Sequence, residues 1–301
     1  MRRCLITLLF ALPAAALCFT LAAIPAITQT TDLEQQLRDQ YQGKIFLLRG
    51  FYSGDQLRSG STGLPDKASS GDWTTDGFVQ VDDIDVSGQG LTIRAARLIV
   101  IAPNHSGFGF VADTPKGKKK APSLDIKADL PSGGSSLEQV EAALSRIFLT
   151  AQDDLAAQVP DYWKPCVVEG LSGKNSKCRF SPKLAVVPGI LTREQDSVTD
   201  NAPSPVASRV GQGVSPPRVI RQVDPKFSEA AERAKVNHAE VTLKLVVDQS
   251  GTPQNIHVVT PFGCGLDLEA VRAVEAWRFD PSQKDGKPVK VEIAVEMEFL
   301  R

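Results

Sequence analysis

Along this chain the spacing of apolar residues switches between a period of two and a period near 3.6, and the switches mark out its elements. Residues 31–42 (TDLEQQLRDQYQ) are a polar helical stretch, and Ile45-Phe46-Leu47-Leu48 then opens a region of strands. The turn-rich run at 57–73 (LRSGSTGLPDKASSGDW) predicts a loop over the sheet. Residues 78–101 read as two strands joined by Ser87-Gly88-Gln89-Gly90, a hairpin signal. The alternation at Val79 and Val81 changes phase to Ile84 and Val86, which predicts a bulge near Asp82-Asp83. Phe108, Phe110, Leu124 and Ile126 mark further short strands. From Ser136 to Leu149 the spacing turns helical, with Leu137, Val140, Leu144, Ile147 and Phe148 on one face and a capping box from Ser136 to Gln139. Residues 45–187 thus read as one α+β domain, closed by Tyr162, Trp163 and a cysteine pair.

Periodicity is lost at 188–217, where Pro188, Pro203, Pro205, Pro216 and Pro217 stand among Ser, Gly, Asp and Asn. This is a linker, reaching about 90 Å if extended and roughly 30 Å as a coil. Order returns at Arg218 and holds to 301. A short helix over Phe227–Val236 has Ser228 as its cap. A strand at 240–248 turns at Ser250-Gly251 into a second strand, QNIHVVTPF. Asp267 is expected to cap the next helix, with Leu266 and Val271 as a hydrophobic staple. The helix ends at Trp277-Arg278-Phe279. After a turn at Asp285-Gly286, the apolar residues Val289, Val291, Ile293, Val295, Met297 and Phe299 alternate with Lys290, Glu292, Ala294, Glu296 and Glu298. That is a strand with one buried and one wet face. The expected order is α-β-β-α-β, with Trp277 and Phe279 plugging the core between helix and sheet and Arg278 pointing outward or paired with a carboxylate. The fold class is α+β: this small C-terminal domain, preceded by a separate α+β domain.

Composition narrows the function classes. The 301 residues are 42% apolar, enough for packed cores, and the net charge of −1 gives no global attraction to nucleic acid. The basic run Lys116, Lys118, Lys119, Lys120 sits between prolines and reads as a solvated loop. Arg2 and Arg3 precede an uncharged apolar stretch from Leu5 to Ala26, which fits either a cleaved signal peptide or a retained membrane anchor within residues 1–26. Either fate exports the rest, so disulfides are permitted. Cys166 and Cys178 enclose a polar loop, and a bridge there contributes about 3 kcal/mol. Cys264 is left as a free thiol. His105, His238 and His257 are far apart, no zinc spacing occurs, and Asp82, Asp83 and Asp85 lack the spacing of a calcium loop. Trp73, Phe78, Phe108 and Phe110 line either a ligand groove or, as the simpler reading, a sheet core. No catalytic constellation, metal site or cofactor motif is found, so no enzyme is expected.

Five segments together resemble the C-terminal domain of the TonB energy-transducer family, over Ser215 to Arg301. They are Val223-Asp224-Pro225-Lys226-Phe227, the Asp248–Gly251 turn, Gly265-Leu266-Asp267, AWRFDP at 276–281 and DGKPVKVEI at 285–293. The resemblance implies a three-stranded antiparallel sheet, a periplasmic location and a part in transmembrane transport. It implies docking of an extended segment of an outer-membrane TonB-dependent receptor by strand addition at the last strand. The implied contacts are the backbone of Val289, Lys290, Val291, Glu292, Ile293, Ala294, Val295, Glu296, Met297, Glu298 and Phe299. A second set is Asp224, Pro225, Lys226 and Phe227, where the family's usual glutamine, tyrosine and following proline are here Asp224, Phe227 and Ser228. The segment around Trp277 and Phe279 is structural in that family. Residues 1–30 contain no histidine, which the family's membrane helix carries. Two readings therefore stay open. One is an anchored transducer engaging proton-driven motor proteins of the inner membrane. The other is an exported binding or assembly module without energy transduction. A homodimer through the same edge is a further use.

Overall fold

The computed structural model describes residues 27–60, 69–88, 90–102, 107–130, 136–150, 153–174, 176–179, 207–211 and 213–301. The apolar leader, His105 and most of the expected linker lie outside the described residues. Helix α1 (Ile27–Tyr41) is polar in composition but has one apolar face. Leu33, Leu37 and Tyr41 form a buried stripe that packs into the first core. The stretch before residue 45 is therefore packed onto the first unit.

That unit is built on a sheet of β1 (Ile45–Leu47), β2 (Gln56–Ser59), β3 (Phe78–Ser87), β4 (Gly90–Ile101), β5 (Gly109–Ala112) and β6 (Ser123–Asp129), with the short helix α2 (Trp73–Asp76) between β2 and β3. The strand order is β1-β3-β4-β6-β2, with β5 also beside β4. β3 and β4 form the expected hairpin, and their register shifts between Val81 and Asp83. The expected loop begins later than its composition suggests: Gln56–Ser59 pairs parallel with β6. Leu57 and Ser59 alternate inward there, and four residues suffice for a strand at a sheet edge.

Helix α3 (Leu137–Ile147) carries both halves of its capping box, Ser136 Oγ to Gln139 N and Gln139 Oε1 to Ser136 N. It covers one face of the sheet together with α1, against Val81, Ile84, Ile93 and Ile126. The other face is aromatic. Trp73, Phe78, Phe108 and Trp163 are all buried, with the rings of Trp73 and Trp163 edge to face at 4.9 Å. This is core. Helices α4 (Leu155–Gln158) and α5 (Lys164–Leu171) complete that side, and a Cys166–Cys178 disulfide spanning 5.6 Å between Cα atoms ties α5 to the turn after it.

The second unit runs β7 (Arg218–Arg221), α6 (Glu229–Arg233), β8 (His238–Val247), β9 (Pro253–Thr260), α7 (Leu266–Glu275), β10 (Arg278–Asp280), β11 (Gln283–Lys284), β12 (Lys287–Pro288) and β13 (Val291–Leu300). Its main sheet has three antiparallel strands in the order β13-β8-β9, and β7 with β10 and β11 with β12 form two small ribbons. Gly251 makes the β8–β9 turn at φ +79°, where an added Cβ would meet the carbonyl of Phe279 at 1.8 Å. Ser228 caps α6 through Ala231 N. Asp267 does not cap α7. The helix begins two residues earlier, after Gly265, and the Asp267 carboxylate turns back to accept from Phe262 N at 2.9 Å and Gly263 N at 2.7 Å. It fixes the loop that enters the helix.

Trp277 and Phe279 are buried against the sheet, their rings 6.0 Å apart, and Trp277 Nε1 donates to Val223 O at 2.8 Å. Arg278 is exposed and donates to the carbonyls of Glu275 and Trp277, not to a carboxylate.

The two units meet along a seam. Cys264 N donates to Val100 O at 2.8 Å and Ala102 N to Phe262 O at 2.6 Å, so the end of β4 pairs with the loop before α7. Ile99 of β4 belongs to the core of the second unit. Arg233 of α6 forms a two-bond pair with Asp113, just past β5, at 2.5 and 3.2 Å.

Candidate functional site

β13 is an edge strand. It pairs with β8 in unbroken register from Val291↔Val247 to Leu300↔His238, and among the described residues no strand lies on its other side. Odd-numbered side chains of β13 face the helices: Val291, Met297 and Phe299 are buried, and Ile293 and Val295 are half-buried against the core. Even-numbered side chains, Glu292, Ala294, Glu296 and Glu298, occupy the wet face, as the alternation predicts. Val289 and Lys290 stand before the strand. The β11–β12 hairpin draws Val289 N onto Ser282 O at 2.9 Å, so pairing with β8 starts at Val291 and continues to Leu300.

The outward side of the edge is identified by one residue of the expected linker. Ser208 N donates to Lys290 O at 2.9 Å, and Glu292 N donates to Ser208 O at 3.3 Å, making a parallel bridge opposite Val291. The backbone groups of even-numbered residues therefore point away from β8. By the two-residue repeat, the N–H and C=O of Ala294, Glu296 and Glu298 point the same way. The chain leaves the edge directly after Ser208. Gly211 and Val214 bond each other in a turn, and Ser215 N then reaches Gln283 O at 3.0 Å. Composition gave no sign of this contact, because it is made by backbone atoms inside a Ser/Pro/Gly-rich stretch.

The segment Asp224 to Phe227 is extended, with Asp224 and Lys226 exposed and Pro225 and Phe227 half-buried. Phe227 packs on the core beneath α6 and α7, and the Trp277 bond to Val223 holds the segment at its start. Among the described residues no hydrogen bond links it to β13. The structure thus gives the two sets of expected contact residues separate anchors.

A second polar cluster lies buried in the seam. Asp72 accepts from the backbone and hydroxyl of Thr74, and Thr74 Oγ1 accepts from Gly265 N of the other unit at 2.9 Å. Burial pushes the Asp72 carboxyl above the usual range. Burial also pushes Asp267 up to about 7, against the pull of its two backbone N–H donors, with the Asp72 charge adding to the rise. Burial raises Tyr162 and the Cys264 thiol far above their ordinary values, with both carboxylates contributing. A thiol so disposed is a poor nucleophile. Among the described residues no group of histidines, cysteines and carboxylates is arranged to hold a metal.

Comparison with known proteins finds no match among curated proteins. Among solved structures, the chain is similar to the solution NMR structure of the Pseudomonas aeruginosa TonB C-terminal domain. That match has 20% sequence identity over 31% of this chain and 93% of that one, with a TM-score of 0.25. Residues 223–300, from the segment tied down by Trp277 through nearly all of the open strand, match the family described as Gram-negative bacterial TonB protein C-terminal.

Proposed function

We propose that this protein takes part in transport across the cell envelope, its C-terminal unit docking an extended segment of an outer-membrane receptor by strand addition at β13. The observation that carries the reading is the open backbone edge from Ala294 to Leu300, in a region that matches the TonB C-terminal family. An added strand gains main-chain hydrogen bonds with little demand on its side chains. It also covers an edge that otherwise invites uncontrolled pairing, including with a second copy of this chain. The test is Ala294→Pro in the full chain, with binding of a receptor-derived extended peptide as the readout. Proline at 294 removes one outward N–H and leaves the bonds to β8, a change an edge strand tolerates. Binding is expected to fall at least tenfold. Unchanged binding overturns strand addition at this edge.

A second reading, docking without energy transduction, is favoured by one observation. The first unit is fastened to the C-terminal unit by backbone bonds, so the docking strand sits on a built body. Among the described residues no helix is long and apolar enough to cross a membrane, and the leader is not among them. Intact mass of the protein from fractionated cells separates the two. Retention of residues 1–26 in the inner membrane supports an anchored transducer with a motor partner. A soluble protein starting near Ile27 supports the docking module.

A further inference from the structure

We infer that the lysine-bearing loop of the first unit, Lys116 to Lys120, docks on the phosphate headgroups of an anionic phospholipid bilayer. This is a part of the molecule that strand addition at β13 does not use. β5 and β6 lie end to end along β4: Ala112 stands opposite Leu98, and Ser123 opposite Ala96. Asp113 N donates to Arg97 O at 2.9 Å, so a single step past Arg97 would join the two strands. The chain instead spends residues 113–122 on an excursion. Pro115 and Pro122 flank it, and Lys118 N closes a turn on Pro115 O at 3.0 Å. A Cβ added at Gly117, φ +81°, meets no atom within 4 Å, and Lys116, Lys118, Lys119 and Lys120 are all exposed.

The loop is solvated, as its composition predicts, but its charge is uncompensated. No acidic residue occurs from Thr114 to Leu124. Among the described residues no carboxylate pairs with any of these lysines. The acids at the two ends face elsewhere: Asp113 holds Arg233 at 2.5 and 3.2 Å, and Asp125 stands opposite Arg94. What the loop lacks selects the partner. It has no aromatic residue to stack on a base and no arginine to grip one phosphate with two bonds. It has no large apolar residue to insert. Point charges of one sign spread over a turn suit a plane of many phosphates. The chain also offers a route to such a plane. The apolar stretch Leu5–Ala26 ends where α1 begins at Ile27, and α1 packs into this unit's core. Retained as an anchor, that stretch brings the first unit to a bilayer before the C-terminal one. Each lysine near an anionic surface strengthens attachment about fivefold, and the attraction fades within a Debye length.

The test uses the full chain with vesicles of phosphatidylcholine, alone or with roughly a third phosphatidylglycerol. The readout is the acetylation rate of each lysine by mass spectrometry. At low salt Lys116, Lys118, Lys119 and Lys120 are expected to react about tenfold more slowly on the anionic vesicles. Lys284 and Lys287, exposed on the β11–β12 hairpin, are internal controls and should keep their rates. High salt should remove the difference. Lys119→Gln with Lys120→Gln is expected to weaken attachment about 25-fold and so free Lys116 and Lys118. Both side chains are exposed, so urea unfolding should be unchanged in that variant. Equal rates on the two kinds of vesicle overturn the proposal. Slowing that extends equally to Lys284 and Lys287 means that the whole surface adsorbs, and overturns it too. If inorganic phosphate without vesicles slows the loop lysines as much, the loop is a free-anion site and the bilayer is overturned as its partner. None of these outcomes bears on the β13 edge, whose own test is Ala294→Pro.

Discussion

The C-terminal sheet has two edge strands, β9 and β13, and the rest of the chain treats them differently. β9 is irregular: its register against β8 shifts between Thr242 and Leu243 and again between Lys244 and Val246. It is also covered. The turn at Asp161–Trp163 and helix α5 pack on it, and Lys177 Nζ, next to the bridged Cys178, reaches Thr260 Oγ1 at 3.3 Å. Bulges and a covering element are two of the ways in which sheets suppress unwanted pairing. Among the described residues β13 has neither device along its outer side beyond Glu292. Its ladder to β8 is unbroken, and its only neighbour among the described residues is Ser208. The contrast teaches that the first unit covers one edge of the C-terminal sheet and, among the described residues, leaves the other open beyond Glu292.

The sharpest way to break the contrast is to pry the first unit off. Gly263 has φ +90°, and a Cβ there would lie 2.2 Å from Val100 O, backbone against backbone across the seam. Gly263→Ala is expected to cost about 4 kcal/mol in urea unfolding, from backbone strain and the displaced strand end. Hydrogen exchange should rise at β9 and the loop before α7 and stay low in the β8–β13 ladder. A loss below about 1 kcal/mol would mean that the seam is looser than these contacts imply.

Next in size is the disulfide. Replacing Cys166 and Cys178 together by serine is expected to cost about 3 kcal/mol, from the freed loop in the unfolded chain. The same change should expose β9 to exchange, because the bridge holds the turn that carries Lys177. β13 should not respond.

The buried carboxylates add a pH dependence. Asp267 holds its proton up to about pH 7 in the folded chain and releases it near pH 4 when unfolded. Between those values the folded state binds more protons, so stability is full below about pH 4 and is lost as pH rises through about 7. Asp72 shifts in the same direction. Stability is expected to fall by roughly 3 kcal/mol from pH 5 to pH 8. Asp267→Asn should flatten most of that slope. A slope that rises over the same interval would contradict the buried setting of both groups.

Much of this arrangement is legible in the sequence where side chains carry the pattern. The α3 capping box, the β3–β4 hairpin with its bulge, the alternation of β8 and β13, and the Trp277–Phe279 plug are each written in residue type and spacing. The seam is less so. Its one sequence sign is the unbroken apolar run Leu98-Ile99-Val100-Ile101-Ala102, too continuous for a strand with one wet face. Ile99 does lie in the second unit's core. Asp267 fits a helix cap equally well on paper, because only the preceding loop's path decides which N–H groups it reaches. Ser208 was not legible at all. Its contact uses only backbone atoms, which every residue but proline offers alike.

The smallest expected effect tests whether the seam acts through side chains or backbone. Arg233 and Asp113 join α6 to the segment after β5 by two bonds, with about a quarter of the arginine side chain exposed. A partly buried pair of this geometry is worth about 1 kcal/mol, less at high salt. A double-mutant cycle with Arg233→Ala and Asp113→Ala isolates the coupling. If the seam is set by the backbone bonds at Val100 and Cys264, the coupling stays near that value and exchange at β9 is unchanged in both single variants. A coupling several times larger, with β9 opening in either variant, would make the ion pair the latch. Protection of the β9 edge would then weaken with salt, and the difference between the two edges would depend on the medium around the protein.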